Sequence, residues 1–517
     1  MKCLIIILLL ALLPDQQKAM LHICGAASME EIDEETLMRF ERFSAHPVDL
    51  NNVSRSALAA SGLLSGHQIS ALLDYRSSSG DILSFAELAM IDGFLPEDAD
   101  ALRHFVTLDS SSPPGSRRSL SYDHELRLSA ALKHDGSHSG GFRYEGELGE
   151  MAELRLSQSS ISAAYYGRRR LGKLVLGSFN ARFGQGLLAW SGFSMSGYSS
   201  ISAFCRKASG ISATTSSLTD NFGIACDWNL GNRGSLALAY SLRSRDALAN
   251  YSHVGRNFTA GMSLNGKGIS ADFLVPLPDV GIFGEAACLW NGSPAAVAGA
   301  HWTPGYGRKF ALRARYYGAV YKEYSGVAVG AELTSWMLSA DFAYRVDNEQ
   351  TQLKALAIYR PVFELGPISL EPQLRFQGRY RPGDGSPLRL ELRGVLESSL
   401  DAWMFNLRGD LVHCSSLAWL WYLEGGRKTD RYGLYLRGGL FKVDDWDDRI
   451  YVYERTAPGG FSVPAYYGRG WSASLYAYWH INRHHSVYLR LEKTDFPWNL
   501  SEKSGKSALK FQYRHRF

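Results

Sequence analysis

From Leu120 to the terminal Phe517 the chain alternates apolar and polar residues with a period of two, and this restricts it to strands with one face of each kind. Leu126, Leu128 and Ala130 alternate with Arg127 and Ser129; Leu236, Leu238 and Tyr240 alternate with Ser235, Ala237 and Ala239. Turn signals such as Asn265-Gly266-Lys267-Gly268 and Gly383-Asp384-Gly385 separate the runs. A soluble propeller would repeat fixed residues at a fixed period, and none recur. The aromatic load of 27 Tyr, 24 Phe and 12 Trp gathers in stretches such as Leu417–Tyr422 and Ser474–Trp479, which suits the interfacial girdles of a membrane barrel. Beyond the first residues no apolar run approaches the length of a membrane helix. The expected fold is an all-β transmembrane barrel, and about 400 residues at roughly twenty per strand predict about 16 to 20 antiparallel strands.

The last strand places Leu509, Phe511, Tyr513, His515 and Phe517 on one face and Lys510, Gln512, Arg514 and Arg516 on the other. Ending on Phe517 resembles the terminal signal read by the outer-membrane barrel assembly machinery. At the other end, Lys2, the apolar run Leu4–Leu13 and the small residues Gly25, Ala26 and Ala27 read as a secretory signal over residues 1–27, cleaved before Ser28. His22 and Ile23 suit a lipoprotein signal at Cys24 poorly. Later cysteines, Cys205, Cys226, Cys288 and Cys414, allow at most two disulfides and have no metal-ligand spacing. The chain is therefore expected in the outer membrane, in contact with its lipid.

Residues 28–109 are a different object. Fifteen Asp or Glu against five Arg give residues 29–109 a net charge of −10, so residues 110–517 carry +13. The apolar spacing of Ile32, Leu37, Phe40 and Phe43 predicts a helix, and four shorter helices follow, with Asn52 or Ser54 and then Ser84 as candidate caps. Ser110–Ser116, with two prolines and nothing to bury, makes residues 110–119 a linker, leaving 120–517 to the barrel. Both ends of an even-stranded barrel face the periplasm, so the module is expected to hang there.

Asp49-Leu50-Asn51, Leu58, Ile69, Leu72, Tyr75-Arg76, Gly80, Glu87-Leu88 and Ile91-Asp92-Gly93 resemble the tandem helix-hairpin-helix domain of the competence protein ComEA, a DNA receptor. The resemblance implies a small all-α fold and phosphate contact through the hairpin turns, here Gly62, Leu63, Leu64, Ser65 and Gly66, then Gly93, Phe94 and Leu95. Leu63-Leu64-Ser65 falls where the family has Gly-x-Gly, and Leu95 replaces a second-hairpin glycine. With these changes and the acidic charge, the turns are read as protein contacts. Leu174–Gly192 resembles a stretch of uncharacterised helix-hairpin-helix barrel proteins of Gram-negative bacteria. Within it Arg182 and Gln185 are lumen candidates for a constriction.

No catalytic residue, metal site or cofactor motif is assigned. His124 beside Asp123 and His413 near Asp410 are read as lumen or turn residues, and Asp444–Asp448 as a solvated loop rather than a calcium site. The expected function is a non-enzymatic transport, secretion or translocation component acting through a periplasmic or outer-membrane protein partner. Its basic lumen would favour anions. A DNA-uptake pore binding nucleic acid is the alternative, and a barrel hydrolase the third.

Overall fold

The computed structural model describes residues 14–109, 122–149, 151–167, 169–192, 197–216, 219–231, 233–255, 258–277, 279–305, 307–365, 368–499 and 504–517. The apolar run Leu4–Leu13 and the 110–119 linker fall outside them.

From Tyr122 onward the described residues form one closed antiparallel ring of 24 strands. Neighbours in sequence are neighbours in the ring. The first strand, Tyr122–Lys133, meets the last, Lys506–Arg516, in register from Glu125↔Arg516 to Lys133↔Ala508, so no edge is left unpaired. Thr351–Tyr359 and Phe363–Leu365 count as one member, because both pair with Ile368–Tyr380 on either side of a break at Pro361, which has no N–H to give the ladder. Gly210–Ala213 lies off the ring on the end of Leu171–Arg182. The expectation of 16 to 20 strands is corrected. Strands of about ten residues joined by two-residue turns, such as Gly266–Lys267 and Thr334–Ser335, use less chain per strand than the sequence reading allowed.

Alternation resolves into an outer and an inner face. Along Tyr432–Val443, Leu434, Leu436 and Leu440 are exposed outward while Tyr435, Arg437 and Phe441 are buried inward. Ile224, Leu238, Phe273, Phe342 and Phe511 extend the exposed apolar band round the ring. An apolar surface of that extent on a closed ring is matched by lipid, and the protein is an outer-membrane β-barrel. Two long connections, of which residues 183–192, 197–216 and 219–221 and residues 444–467 are described, lie at the end of the ring opposite Tyr122 and Phe517 and turn into the lumen.

The module is helical as expected. Its helices are α1 (Pro14–Cys24), α2 (Glu34–Ala45), α3 (Arg55–Ser61), α4 (Gly66–Ser78), α5 (Phe85–Leu88) and α6 (Pro96–Leu102). Asp33, Ser54 and Ser84 accept the N–H of Thr36, Ala57 and Glu87, and Ser65 with Gln68 makes a full capping box. Phe40, Leu50, Leu58, Leu72, Ile82, Leu88 and Phe105 form its core. Residues 14–27, read as the end of the export signal, form α1 and the turn after it, and Met20 and Ile23 join this core. Gly62 closes α3 with φ +66°, and Gly93 turns the second hairpin with φ +83°, where a Cβ would sit 2.6 Å from the His67 ring.

The module does not hang clear of the barrel. Its side chains reach strands on every side of the ring: Arg42 to Glu147 and Glu153, Glu35 to Asn180, Glu97 to Lys309, Lys18 to Glu371 and Glu31 to Arg375. Only a body inside the lumen touches all of these. A ring of 24 strands is wide enough to hold one, and the net +13 of residues 110–517 favours the −10 module there.

The in–out assignment predicts that Leu436→Arg, which puts a guanidinium against lipid, lowers folding stability by about 2–4 kcal/mol in reversible urea titrations in phospholipid vesicles.

Candidate gate at the module–wall interface

Five carboxylates lie within six residues at the start of the module. Glu30 and Glu31 sit on the single turn Met29–Glu31, Asp33 caps α2, and Glu34 and Glu35 occupy its first turn, where the helix dipole favours negative charge. Their partners are inward arginines. Glu30 takes Arg408, Arg393 at 3.4 Å and the Tyr453 N–H at 3.1 Å; Glu31 takes Arg375 at 2.6 Å, the Ser199 hydroxyl at 2.5 Å and the Ala27 N–H at 2.8 Å. Glu34 faces Arg143 at 3.4 Å. Glu35 accepts both carboxylate hydrogen bonds from Asn180, at 2.8 and 2.9 Å, with Arg182 at 3.9 Å.

The wall holds these arginines in place. Arg375 and Arg393 are directly opposite on neighbouring strands, and Arg393 is opposite Asp410 on the next. Asp410 accepts from Arg393 Nε at 2.7 Å and from Arg408 Nε at 2.6 Å, so one buried carboxylate aims two guanidiniums at Glu30. On the far side the polarity reverses, and Arg42 of α2 lies between Glu147 at 3.0 Å and Glu153 at 2.9 Å. Breaking a buried pair of this kind strands a charge and costs about 3–5 kcal/mol.

The inturned connections close on the module from the other end. Lys207 donates to the Ile23 carbonyl at 2.7 Å, Ser200 to the Gly25 carbonyl at 2.7 Å, and the Gly459 N–H to Glu41 at 3.0 Å. Burial would raise the Glu30 pKa, but Arg408 and Arg393 outweigh it and hold the carboxyl below its usual range. Burial wins at Glu41, which is pushed up to about 7 although Arg127 pulls it down.

The hairpin residues lie within the module and against its wall. Leu63, Leu64 and Phe94 are core side chains. Gly62 packs over Arg39, while Ser65, Gly66, Gly93 and Leu95 line a cavity of about 1100 Å³ toward the end that carries Tyr122 and Phe517. Several turn amides are already engaged: Leu63 N–H donates to Ser61 Oγ, Ser65 N–H to Gln68 Oε1, Phe94 N–H to the Ile91 carbonyl and Leu95 N–H to Asp98 Oδ2. Arg182 projects into the lumen, where its Nε donates to the Ser191 carbonyl at 2.9 Å. Gln185 is buried in the first inturned connection, which Glu285 anchors by accepting the N–H groups of Gln185 and Leu187 at 2.7 and 3.1 Å. Phe517 is exposed, and its N–H donates to the His124 carbonyl at 2.9 Å across the closing seam. His124 meets the Tyr144 hydroxyl at 2.6 Å, and His413 lies 3.3 Å from the Ser416 carbonyl.

The Asp444–Asp448 segment is held at its two ends, with Asp445, Trp446 and Asp447 exposed between them. Asp448 is fully buried and accepts the N–H groups of Cys414, Ser415 and Ser416, and Asp444 pairs with Arg469 at 2.5 Å. Among the described residues no group of three His, Cys, Asp or Glu is placed to hold a metal ion, and Cys24, Cys205, Cys226, Cys288 and Cys414 are free. The residues that join module to wall, Glu30, Glu31, Glu34, Arg143, Arg375, Arg393 and Arg408, are not singled out by the sequence reading. The signal for them was the opposite charge of the two parts, which that reading took as marking separate surroundings.

No family model matches the chain, and no curated protein does. Among solved structures the chain is similar to the Pseudomonas aeruginosa proteins OccK1 (OpdK), at 10% identity over 77% of this chain and 98% of that one with a TM-score of 0.35, and OccK2 (OpdF), at 8% identity over 77% and 97% with a TM-score of 0.33. A third, OpdL of the same organism, is 9% identical over 77% and 98% with a TM-score of 0.34. These are distant likenesses, and the strand count and module are read from this chain's own pairings.

Docking of the module has a pH dependence with a definite sign. In the docked state Glu41 keeps its proton up to about pH 7, whereas a free glutamate loses it near its ordinary value of 4.5, so the docked form binds more protons between those limits and docking weakens as pH rises through them. Glu30 acts oppositely, supplying stability that is present above pH 4.5 and lost below it. Protection of the α2 amides, taken relative to the exchange of the unfolded chain at each pH, is expected to fall between pH 5 and 8, and Glu41→Gln to flatten that fall.

Proposed function

We propose that the protein is a gated outer-membrane translocation channel, closed by its own N-terminal module, which opens when the module is drawn out of register with the wall. The observation that carries this reading is the chemistry of the contact. Among the described residues the module's apolar core takes in Phe461 from the barrel side, Ala27 packs in a small cluster with Ile201, Phe204 and wall residues, and the ion pairs and hydrogen bonds named above make up the rest of the contact. Separating apolar surfaces of this size would cost about 25 cal/mol per Å² exposed, whereas separated carboxylates and guanidiniums regain water. Such a contact is strong in place and releasable as a unit.

The module works through protein contacts, with the wall when closed and with a periplasmic partner when open. Its hairpins resemble those of a DNA receptor, but the engaged turn amides and the acidic surface support protein rather than phosphate as what they meet.

In planar bilayers the full chain is expected to pass current only in brief openings. Arg375→Glu, which sets a carboxylate against Glu31, is expected to give sustained conductance, and adding Glu31→Arg to restore the closed state. Equal conductance from all three proteins would contradict the gate.

A further inference from the structure

Above the module, at the end of the ring away from Tyr122 and Phe517, lies a second cavity of about 1100 Å³. Its floor is made by the module's Glu30, Glu31, Asp33, Glu34 and Glu35, and its wall carries Arg143, Arg375 and Arg393, which hold Glu34, Glu31 and Glu30. Two more cations, Lys354 and Arg379, line the same wall. Among the described residues neither has an ion-pair partner, and Arg379 Nε is buried without a hydrogen bond.

Their placement is costly. Lys354 is directly opposite Arg379, and Arg379 directly opposite Arg389, so three cations stand in a row across adjacent strands. Like charges at opposed positions destabilise a sheet. Arg389 is relieved by Glu391 at 2.5 Å, and Asp410 is occupied by Arg393 and Arg408. Asp341 stands directly opposite Lys354 on the other side, but both its oxygens accept from Arg315, at 2.8 and 3.0 Å, so one carboxylate is shared between two cations. Lys354 and Arg379 thus leave an excess of positive charge beside the arginines that clamp the module.

We propose that this cavity binds a compact multivalent oxyanion, a polycarboxylate or a phosphate, and that the bound anion loosens the module. Lys354 and Arg379 supply the first contacts, and Arg375 and Arg143, at the module's edge, supply the next by exchanging Glu31 and Glu34 for the ligand. Each guanidinium can take an incoming carboxylate or phosphate with two parallel N–H donors, the geometry it now offers the module. The ligand is therefore also the release signal: it competes for the clamp rather than acting from a distance. This rests on the gated-channel reading.

The test uses the full chain in detergent, with citrate and inorganic pyrophosphate as probes of the carboxylate and phosphate sources. Calorimetric titration is expected to show binding of at least one probe, weakened about tenfold or more by the double change Lys354→Gln and Arg379→Gln. That variant is expected to unfold no earlier than the parent, since it removes a repulsive row, and to keep the module's exchange pattern without ligand, because neither residue touches the module. Adding the bound probe is expected to speed amide exchange in α2 of the parent and leave the variant unchanged. Absence of binding by both probes, undiminished binding in the variant, a variant that unfolds early, or binding that leaves α2 exchange unaltered would each overturn the proposal. None of these outcomes depends on conductance, so a failure here is separable from a failure of the gate.

Discussion

A charge that faces the interior of a lipid-embedded ring must find a counter-charge, water or a proton, and the rest of this structure follows from how that demand is met. The wall brings Arg143, Arg375, Arg393 and Arg408 inward because strand alternation has assigned leucine and phenylalanine to the lipid face. The module brings Glu30, Glu31, Glu34 and Glu35 to meet them. Neither set is comfortable alone: the arginines repel one another across the strands, and five carboxylates in six residues repel along the chain. Together they neutralise, and the module is held without any large apolar surface being shared.

Ring closure and lumen filling are linked in the same way. With 24 strands the ring is too wide for its own inward side chains to fill. Space that lipid cannot enter is taken up by helices entering from the end that carries Tyr122 and Phe517 and by the described parts of the two long connections, folded in from the other. Among the described residues two cavities flank the module, and their linings meet at Ser28, Glu30 and Arg393.

Local chemistry was legible in the sequence, and long-range geometry was not. Period two identified the strands and their lipid face, down to Leu509 and Phe511 on the last of them. Ser54 and Ser84 mark helix starts because a hydroxyl beside a free N–H acts over three residues; Ser65, read as a turn residue, caps α4 as well. Strand number was misjudged because turn length, unlike alternation, leaves no periodic mark. The module's place was misjudged for a different reason: a −10 segment before a +13 body fits both repose in another compartment and insertion, and pairings such as Arg375 with Glu31, 344 positions apart, have no local signature. Arg182 and Gln185 drew attention as a break in alternation, and the break proves to be the point where a strand leaves the ring to begin an inturned connection.

The central claim is that the module occupies the lumen. Glu31→Cys with Arg375→Cys, in a chain whose other cysteines are replaced, treated in intact outer membranes with a short bifunctional thiol reagent, tests it most directly. The account predicts an efficient intramolecular cross-link between module and wall, visible as two fragments held together after cleavage of the 110–119 linker. A module that hangs free in the periplasm would yield no cross-link at this pair, and that result would contradict the account.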